Sequence, residues 1–300
     1  MKSIFLTGSS GFVGINLQSY LSSGFQFKNY NRGETVVVKE DIVIHLAGKA
    51  HDTKNVAQPE EYYQVNTELT KKIFDAFMHS TARVFITLSS VKAAADLVDG
   101  VLTEEVVPKP QTHYGKSKLL AEQYILAQPL SPGKRIYIIR PCMIHGPGNK
   151  GNLNLLYRVV SKNIPWPLAA FNNRRSFCSI ENLCFVINEL IRRENIPSGI
   201  YNVADDEALS TNDLIRCIAE SLGRQPKLLS LPTNLIQTLA RLGDWLKLPL
   251  NSERLQKLTE SYVVSNQKIK TAIGKPFPLS AKEGLMRTFR SFNRVGTTTG

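Results

Sequence analysis

The sequence predicts an α/β protein: a doubly wound parallel sheet with a smaller, mostly helical region after it. Three observations carry the prediction. Short apolar runs alternate with longer stretches of helical spacing through the first 140 residues, the alternation that builds a parallel sheet with helices on both faces. Most of these runs are apolar without interruption, as strands covered on both faces must be. A glycine-rich turn stands at the first strand-to-helix junction, the edge at which such sheets receive ligands.

The elements follow in order. Strands are expected over 3–7 (SIFLT), 25–30 (FQFKNY), 41–47 (DIVIHLA), 83–89 (RVFITLS) and 135–140 (RIYIIR), and helices over 12–22, 59–79 and 112–127. Only residues 33–40 separate the second strand from the third, too few to hold both a further strand and a helix. Beyond about residue 165, helical stretches at 181–194, 210–223, 232–246, 251–261 and 280–293 predominate, with brief strand-like pieces at 199–203 and 227–230. The chain thus divides into a sheet domain over 1–165, a region over 166–293 that can return strands to the sheet, and a disordered tail over 294–300.

Composition narrows the function classes. The 37 Lys and Arg against 25 Asp and Glu give a net charge of +12. The basic residues are spread along the chain without a basic tail or nucleic-acid motif, which points to a small polyanionic ligand and away from nucleic acid. Loose attraction to an anionic membrane surface would suit the same charge. Cys142, Cys178, Cys184 and Cys217 form no C-x-x-C pair and read as buried free thiols of a reducing compartment. No apolar run approaches the ~20 residues of a membrane span, so a soluble, cytoplasmic protein is expected. His45, His51, His79 and His145 show no metal-ligand spacing, and no metal is expected.

The segment "TGSSGFVG", residues 7–14, joins the first strand to the first helix. Gly8 permits the tight turn, Gly11 lets backbone approach a phosphate, and Gly14 allows close packing of helix on strand. The helix start at Phe12 and Val13 offers unpaired N–H groups to a pyrophosphate, so the pattern favours a dinucleotide. An acidic residue usually closes the second strand and holds the adenosine ribose. Here the strand runs into Asn31 and Arg32, with no carboxylate before Glu34. Arg32 either meets a 2′-phosphate, which points to NADP over NAD, or is a solvated loop residue.

The segment "HYGKSK", residues 113–118, sets Tyr114 and Lys118 one helical turn apart on one face. A tyrosine titrates near ~10, and lowering that by two or three units takes roughly 3–4 kcal/mol. An ammonium about 4 Å away at an effective dielectric of ~20 supplies about that much, so the pair can make a base usable near neutral pH. Ser90, at the end of the strand over 83–89, can hold a substrate oxygen against Tyr114.

With these segments in hand, the sequence resembles the extended short-chain dehydrogenases/reductases, in the branch of nucleotide-sugar epimerases and dehydratases. The resemblance rests on "TGSSGFVG" (7–14), "DIVIHLAG" (41–48), "VNTELT" (65–70), "ITLSSVKA" (86–93), "YGKSK" (114–118), "RPCMIHGPGNKGN" (140–152) and "RRSFCSIENL" (174–183), in the family's order. It implies a Rossmann-like fold that binds NAD or NADP through Gly8, Gly11, Phe12, Val13, Gly14, Leu46, Ala47, Gly48 and Asn66, with Arg32 standing where the usual acidic residue is absent. It makes Tyr114 the catalytic acid/base, Lys118 its activator and ribose ligand, and Ser90 the hydroxyl partner. Asn152 and Arg175 match positions that contact the diphosphate of a nucleotide sugar.

The resemblance further implies a 4-epimerase acting on a UDP-hexose or UDP-N-acetylhexosamine for surface polysaccharide, through a transient 4-keto sugar. The alternative is an NADPH-dependent reductase of a nucleotide-linked 4-keto sugar. Family dehydratases carry an Asp-Glu pair after the catalytic hydroxyl, where this chain has Val91 and Lys92, which counts against 4,6-dehydration. The Tyr/Lys pair counts against a non-catalytic dinucleotide-binding module. Family members commonly pair through the helices over 59–79 and 112–127, which makes a homodimer an expectation.

Overall fold

The computed structural model describes residues 1–49, 58–149, 153–246 and 251–295. The first half alternates as the sequence predicts: β1 (Lys2–Thr7), α1 (Phe12–Leu21), β2 (Phe25–Tyr30) and β3 (Ile42–His45). One continuous helix then runs as α2 (Pro59–Tyr62), a π-helical turn (Tyr63–Glu68) and α3 (Leu69–Met78). It leads to β4 (Val84–Leu88), a 3₁₀ turn (Val91–Ala93), the short β5 (Val101–Leu102), α4 (His113–Leu126) and β6 (Arg135–Pro141). No helix intervenes between β2 and β3; Val36 and Val38 of the linking segment pack against the core instead.

The second half contains β7 (Met143–His145), α5 (Leu153–Ser161), β8 (Phe177–Ser179), α6 (Ile180–Arg192) and β9 (Gly199–Val203). After these come α7 (Thr211–Ser221), α8 (Thr233–Leu246), α9 (Ser252–Thr259), β10 (Val263–Val264), α10 (Gln267–Ile273) and α11 (Ala281–Val295). The last helix thus reaches two residues into the segment expected as a tail; 296–300 lie outside the described residues.

Six parallel strands form the main sheet in the order β2-β1-β3-β4-β6-β9. Each strand divides its side chains between two cores, because successive residues point to opposite faces. Ile4, Leu6, Ile42, Ile44, Val84, Ile86, Tyr137 and Ile139 enter one core, which α1 and α6 cover. Phe5, Val43, Phe85, Ile136 and Ile138 enter the other, against Ile73, Phe74, Phe77 and Ile125 of α3 and α4. A third core lies among α5, α7, α8, α9 and α11.

The piece at 199–203 becomes a full strand of the main sheet, beside β6. The piece at 227–230 does not become a strand. It makes two isolated bridges, Trp166 with Leu228 and Leu168 with Ser230. Pro165 and Pro167 flank Trp166, and a ladder cannot extend through residues that lack an N–H.

Candidate active site

β1 sits between β2 and β3, and the chain leaves it first to one side and then to the other. A crevice therefore opens at the C-terminal ends of β1 and β3. Gly8 turns there with φ 72°, and a Cβ on it would stand 2.7 Å from the Ala47 amide nitrogen. A Cβ on Gly14 would fall 2.2 Å from the Gly8 carbonyl oxygen, so α1 packs on the turn only through glycine. Gly11 begins α1 without a side-chain cap, and the first turn, starting at Phe12 and Val13, carries no acidic residue. That end offers its N–H groups and partial positive charge to an anion.

The loop after β3 is fixed from both sides. Leu46 donates its N–H to the Thr7 carbonyl at 3.2 Å, and Ala47 donates to Thr7 Oγ1 at 3.1 Å. Thr7 Oγ1 also meets His45 Nδ1 at 2.7 Å, while His45 Nε2 meets Thr70 Oγ1 at 2.9 Å. Burial, aided by the Lys118 charge, pushes His45 down to about 3 and keeps it neutral. Asn66, in the π-helical turn, accepts from the Lys49 N–H at 2.8 Å and donates to the Lys49 carbonyl and to Ser117 Oγ. It thereby ties the β3 loop to α4. Gly48 leaves open the space beside Asn66 and Lys118: a Cβ there would lie 3.0 Å from Lys118 Nζ.

Ser90, Tyr114 and Lys118 converge at the end of β4. Ser90 begins the 3₁₀ turn, accepting the Lys92 N–H at 3.2 Å. Thr112 caps α4 by accepting the Gly115 N–H at 3.1 Å and donates to Asp96 at 3.1 Å, which fixes where Tyr114 emerges. Tyr114 is hydrogen-bonded to Ser90, and the Tyr62 ring meets it edge-on with centroids 6.1 Å apart. Burial raises the Tyr114 phenol above its usual range; the Ser90 bond draws it back in part, and Tyr62 adds to the rise.

Lys118 is anchored to the sheet: its ammonium donates to the Leu88 carbonyl at 2.8 Å and stands beside Gly48 and Asn66. Burial pushes Lys118 down to about 8, partly offset by Glu122. The i, i+4 spacing sets both residues on one helix face at the end of β4, Tyr114 bonded to Ser90 and Lys118 to the Leu88 carbonyl.

Glu122 supports the constellation from beneath. It receives Arg140 Nε at 2.9 Å and Nη2 at 2.5 Å, and Ser89 Oγ donates to it at 2.5 Å. Both charged side chains are at most 2% exposed. The pair fastens α4 to β6 and to the residue preceding Ser90.

Arg175 borders a cleft through its bonds to two residues of the cleft's wall. Its Nη2 donates to Glu260 Oε1 at 3.1 Å and to the Lys257 carbonyl at 2.5 Å. The cleft is lined by Lys92, Asp96 and Thr112 on one wall and by Glu253, Gln256, Lys257 and Glu260, in and just after α9, on the other. Lys92 donates to the Asp96 carbonyl at 2.7 Å, and its ammonium lies 4.1 Å from the centre of the Tyr262 ring. Tyr62, Tyr262 and the α9 wall were not among the residues the sequence singled out, and Lys92 was noted only as a departure from the dehydratase pattern. Lys92 had a signal, being two residues after Ser90. The α9 residues are more than 130 positions from Tyr114, and nothing local marks them.

Arg32 is exposed in the turn after β2, where Glu34 is engaged by Asn31 through its N–H at 3.1 Å and its side-chain amide at 2.8 Å. Asn152 and His51 lie outside the described residues. Among the described residues no cluster of three or more His, Cys, Asp or Glu is placed to hold a metal, and no helix is long and apolar enough to cross a membrane.

A glycine turn at the switch point of a parallel sheet, with Ser, Tyr and Lys gathered at the end of the fourth strand, defines an extended short-chain dehydrogenase/reductase. The chain belongs to the NAD dependent epimerase/dehydratase family, whose model matches residues 27–204, more than half of its length. It is 29% identical to a UDP-glucose 4-epimerase of Vibrio cholerae over 97% of this chain and 95% of that one. It is 27% identical to the N-acetyl-alpha-D-glucosaminyl-diphospho-ditrans,octacis-undecaprenol 4-epimerase of Escherichia coli O157:H7, over 89% of this chain and 84% of that one. The fold is shared with the UDP-N-acetylglucosamine 4-epimerase of Bacillus cereus, at a TM-score of 0.74 and 19% identity, covering 98% and 99% of the two chains.

Proposed function

We propose that the protein is an NAD(P)-dependent 4-epimerase of a UDP-linked hexose or N-acetylhexosamine in surface-polysaccharide synthesis. The observation that carries the reading is the Tyr114–Ser90 hydrogen bond at the mouth of the sheet, one helical turn from Lys118. The two full-length relatives named above, both 4-epimerases, support it. The crevice suits a dinucleotide: a Cβ at Gly8 or Gly14 would collide with the backbone that shapes the turn, one at Gly48 would crowd Lys118 and Asn66, and the α1 terminus is free of acidic side chains. Gly11, Phe12 and Val13 would hold the pyrophosphate, Leu46 to Gly48 and Asn66 would line the middle of the cofactor, and Lys118 would bind the ribose hydroxyls. Arg32, at the end of β2, would face the adenosine end and decides between NAD and NADP.

When bound, the cofactor supplies an acceptor for the hydride leaving C4 and later returns it. Tyr114 takes the proton of the 4-hydroxyl and gives it back after the 4-keto sugar has turned its other face. Ser90 holds the C4 oxygen within reach of Tyr114 throughout. Arg175, with Asn152, would meet the diphosphate; to do so Arg175 must exchange part of its bonding to Glu260 for phosphate oxygens. Two weaker partnerships belong to the same proposal: an anionic membrane surface, from the charge of +12, and a second copy, from Leu120 and Leu126 exposed on α4.

The test begins with nucleotide released from the purified, denatured protein, followed by conversion of UDP-glucose or UDP-N-acetylglucosamine. The expected result is retained NAD(P) and interconversion with the galacto epimer. Tyr114→Phe should keep the cofactor and lose about 10²–10⁴-fold in turnover. Full turnover by that variant would refute the mechanism. A protein that retains no dinucleotide and oxidises NADPH only with a 4-keto sugar would be the reductase instead.

A further inference from the structure

The third core leaves one helix half covered. α8 presents Ile236, Ala240 and Gly243 inward, at i, i+4 and i+7. A second apolar stripe, Leu235, Leu239, Leu242 and Leu246, repeats the same spacing beside it and faces outward, each residue 44–49% exposed. Trp245, 78% exposed, borders that stripe. Ile164 and Leu229 are also exposed, on the bridged segments that lead into the helix. Single exposed apolar residues are ordinary, but an aligned stripe with a tryptophan at its edge marks a contact surface.

The charge around the stripe selects the partner. Across 161–170 and 223–246 the chain carries Lys162, Arg224, Lys227 and Arg241 against a single acid, Asp244. All four basic residues are exposed. Asp244 is occupied, accepting from the N–H of Ser252 at 3.0 Å and from its hydroxyl at 2.5 Å. A helix with leucines on one side, tryptophan at the border and cations beyond it is the pattern that lies in the headgroup layer of an anionic bilayer. A second copy would bring the same positive charge to the contact.

We infer that α8 docks the protein onto an anionic lipid surface, with the Leu235–Leu246 stripe and Trp245 in the interface. The docking is independent of which reaction the site performs. It also has a consequence for the site. α9 packs on α8 and carries Glu253, Gln256 and Lys257 into the cleft opposite Lys92 and Thr112, so docking places the cleft wall next to the lipid.

The test uses the full chain and vesicles of equal parts phosphatidylcholine and phosphatidylglycerol, with phosphatidylcholine vesicles as comparison. The protein should sediment with the anionic vesicles at low salt and be released at high salt. The Leu242→Gln/Trp245→Ser variant should bind about tenfold more weakly or worse, while its thermal unfolding and its turnover of UDP-sugar stay unchanged. In a Trp166→Phe background, emission from Trp245 should shift to the blue on adding anionic vesicles. Equal sedimentation of wild type and variant would overturn the inference. So would a blue shift that follows protein concentration without vesicles, since a second copy would then cover the stripe. Loss of turnover in Tyr114→Phe with vesicle binding retained keeps the two readings separate.

Discussion

Replacing Glu122 by Gln tests whether the catalytic helix is held by a buried charge. The substitution keeps the shape of the side chain and removes the counter-charge of Arg140, which is 1% exposed and whose Nη1 has no hydrogen-bond partner among the described residues. An exposed ion pair would be worth about 0–1 kcal/mol, but stranding a buried charge costs about 3–5 kcal/mol. Against a total stability of about 5–15 kcal/mol, that is a large share. With a urea m-value near ~3 kcal/mol/M for a chain of this size, the unfolding midpoint should fall by roughly 1–2 M. Arg140→Met should cost a similar amount, and Glu122→Leu with Arg140→Met should recover much of it, because an apolar pair needs no compensation. A midpoint shift in Glu122→Gln below about 0.3 M, or a double variant as unstable as the two single losses added, would refute the reasoning.

The remaining predictions concern the groups above that pair. Lys118 releases its proton at about 8 when folded, below its ordinary range. The unfolded chain therefore binds more protons between about 8 and about 10.5, and the group adds stability as pH rises through that window. Epimerisation should decline over the same rise, because the site loses its ammonium; a turnover profile flat to pH 10 would count against a role for that charge. In protein stripped of dinucleotide, the ultraviolet difference between wild type and Tyr114→Phe should show a phenol that titrates above the usual tyrosine range, and one titrating below it would contradict the burial argument. Gly14→Ala would place a methyl 2.2 Å from the Gly8 carbonyl, so α1 must shift and retained dinucleotide should fall at least about tenfold. Undiminished retention in that variant would show that the turn is looser than described.

What could be read in advance followed the range of the physics involved. Strands and helices arise from local periodicity, and β1, β2, β4, β6 and the helix over 59–78 were legible within a residue or two. The roles of Gly8 and Gly14 in the turn were legible because φ and the missing Cβ are properties of single residues. The strand-like piece at 227–230 failed because its partner segment carries two prolines, a fact about a distant stretch of chain. The α9 wall was missed for the same reason: it meets Lys92 only after the C-terminal region folds back on the turn after β4 and on β5. The relation of Tyr114 to Lys118 is the most instructive case. Helical spacing correctly predicted that both residues share a face, and Coulomb's law correctly gives the worth of an ammonium about 4 Å from a phenol. Neither says where a four-carbon side chain will end. Leu88 ends β4 with its carbonyl within reach, and the buried ammonium takes that acceptor. Burial holds the Tyr114 phenol above its ordinary range and the Ser90 bond draws it partly back, so a cationic ligand bound in the crevice would lower it further.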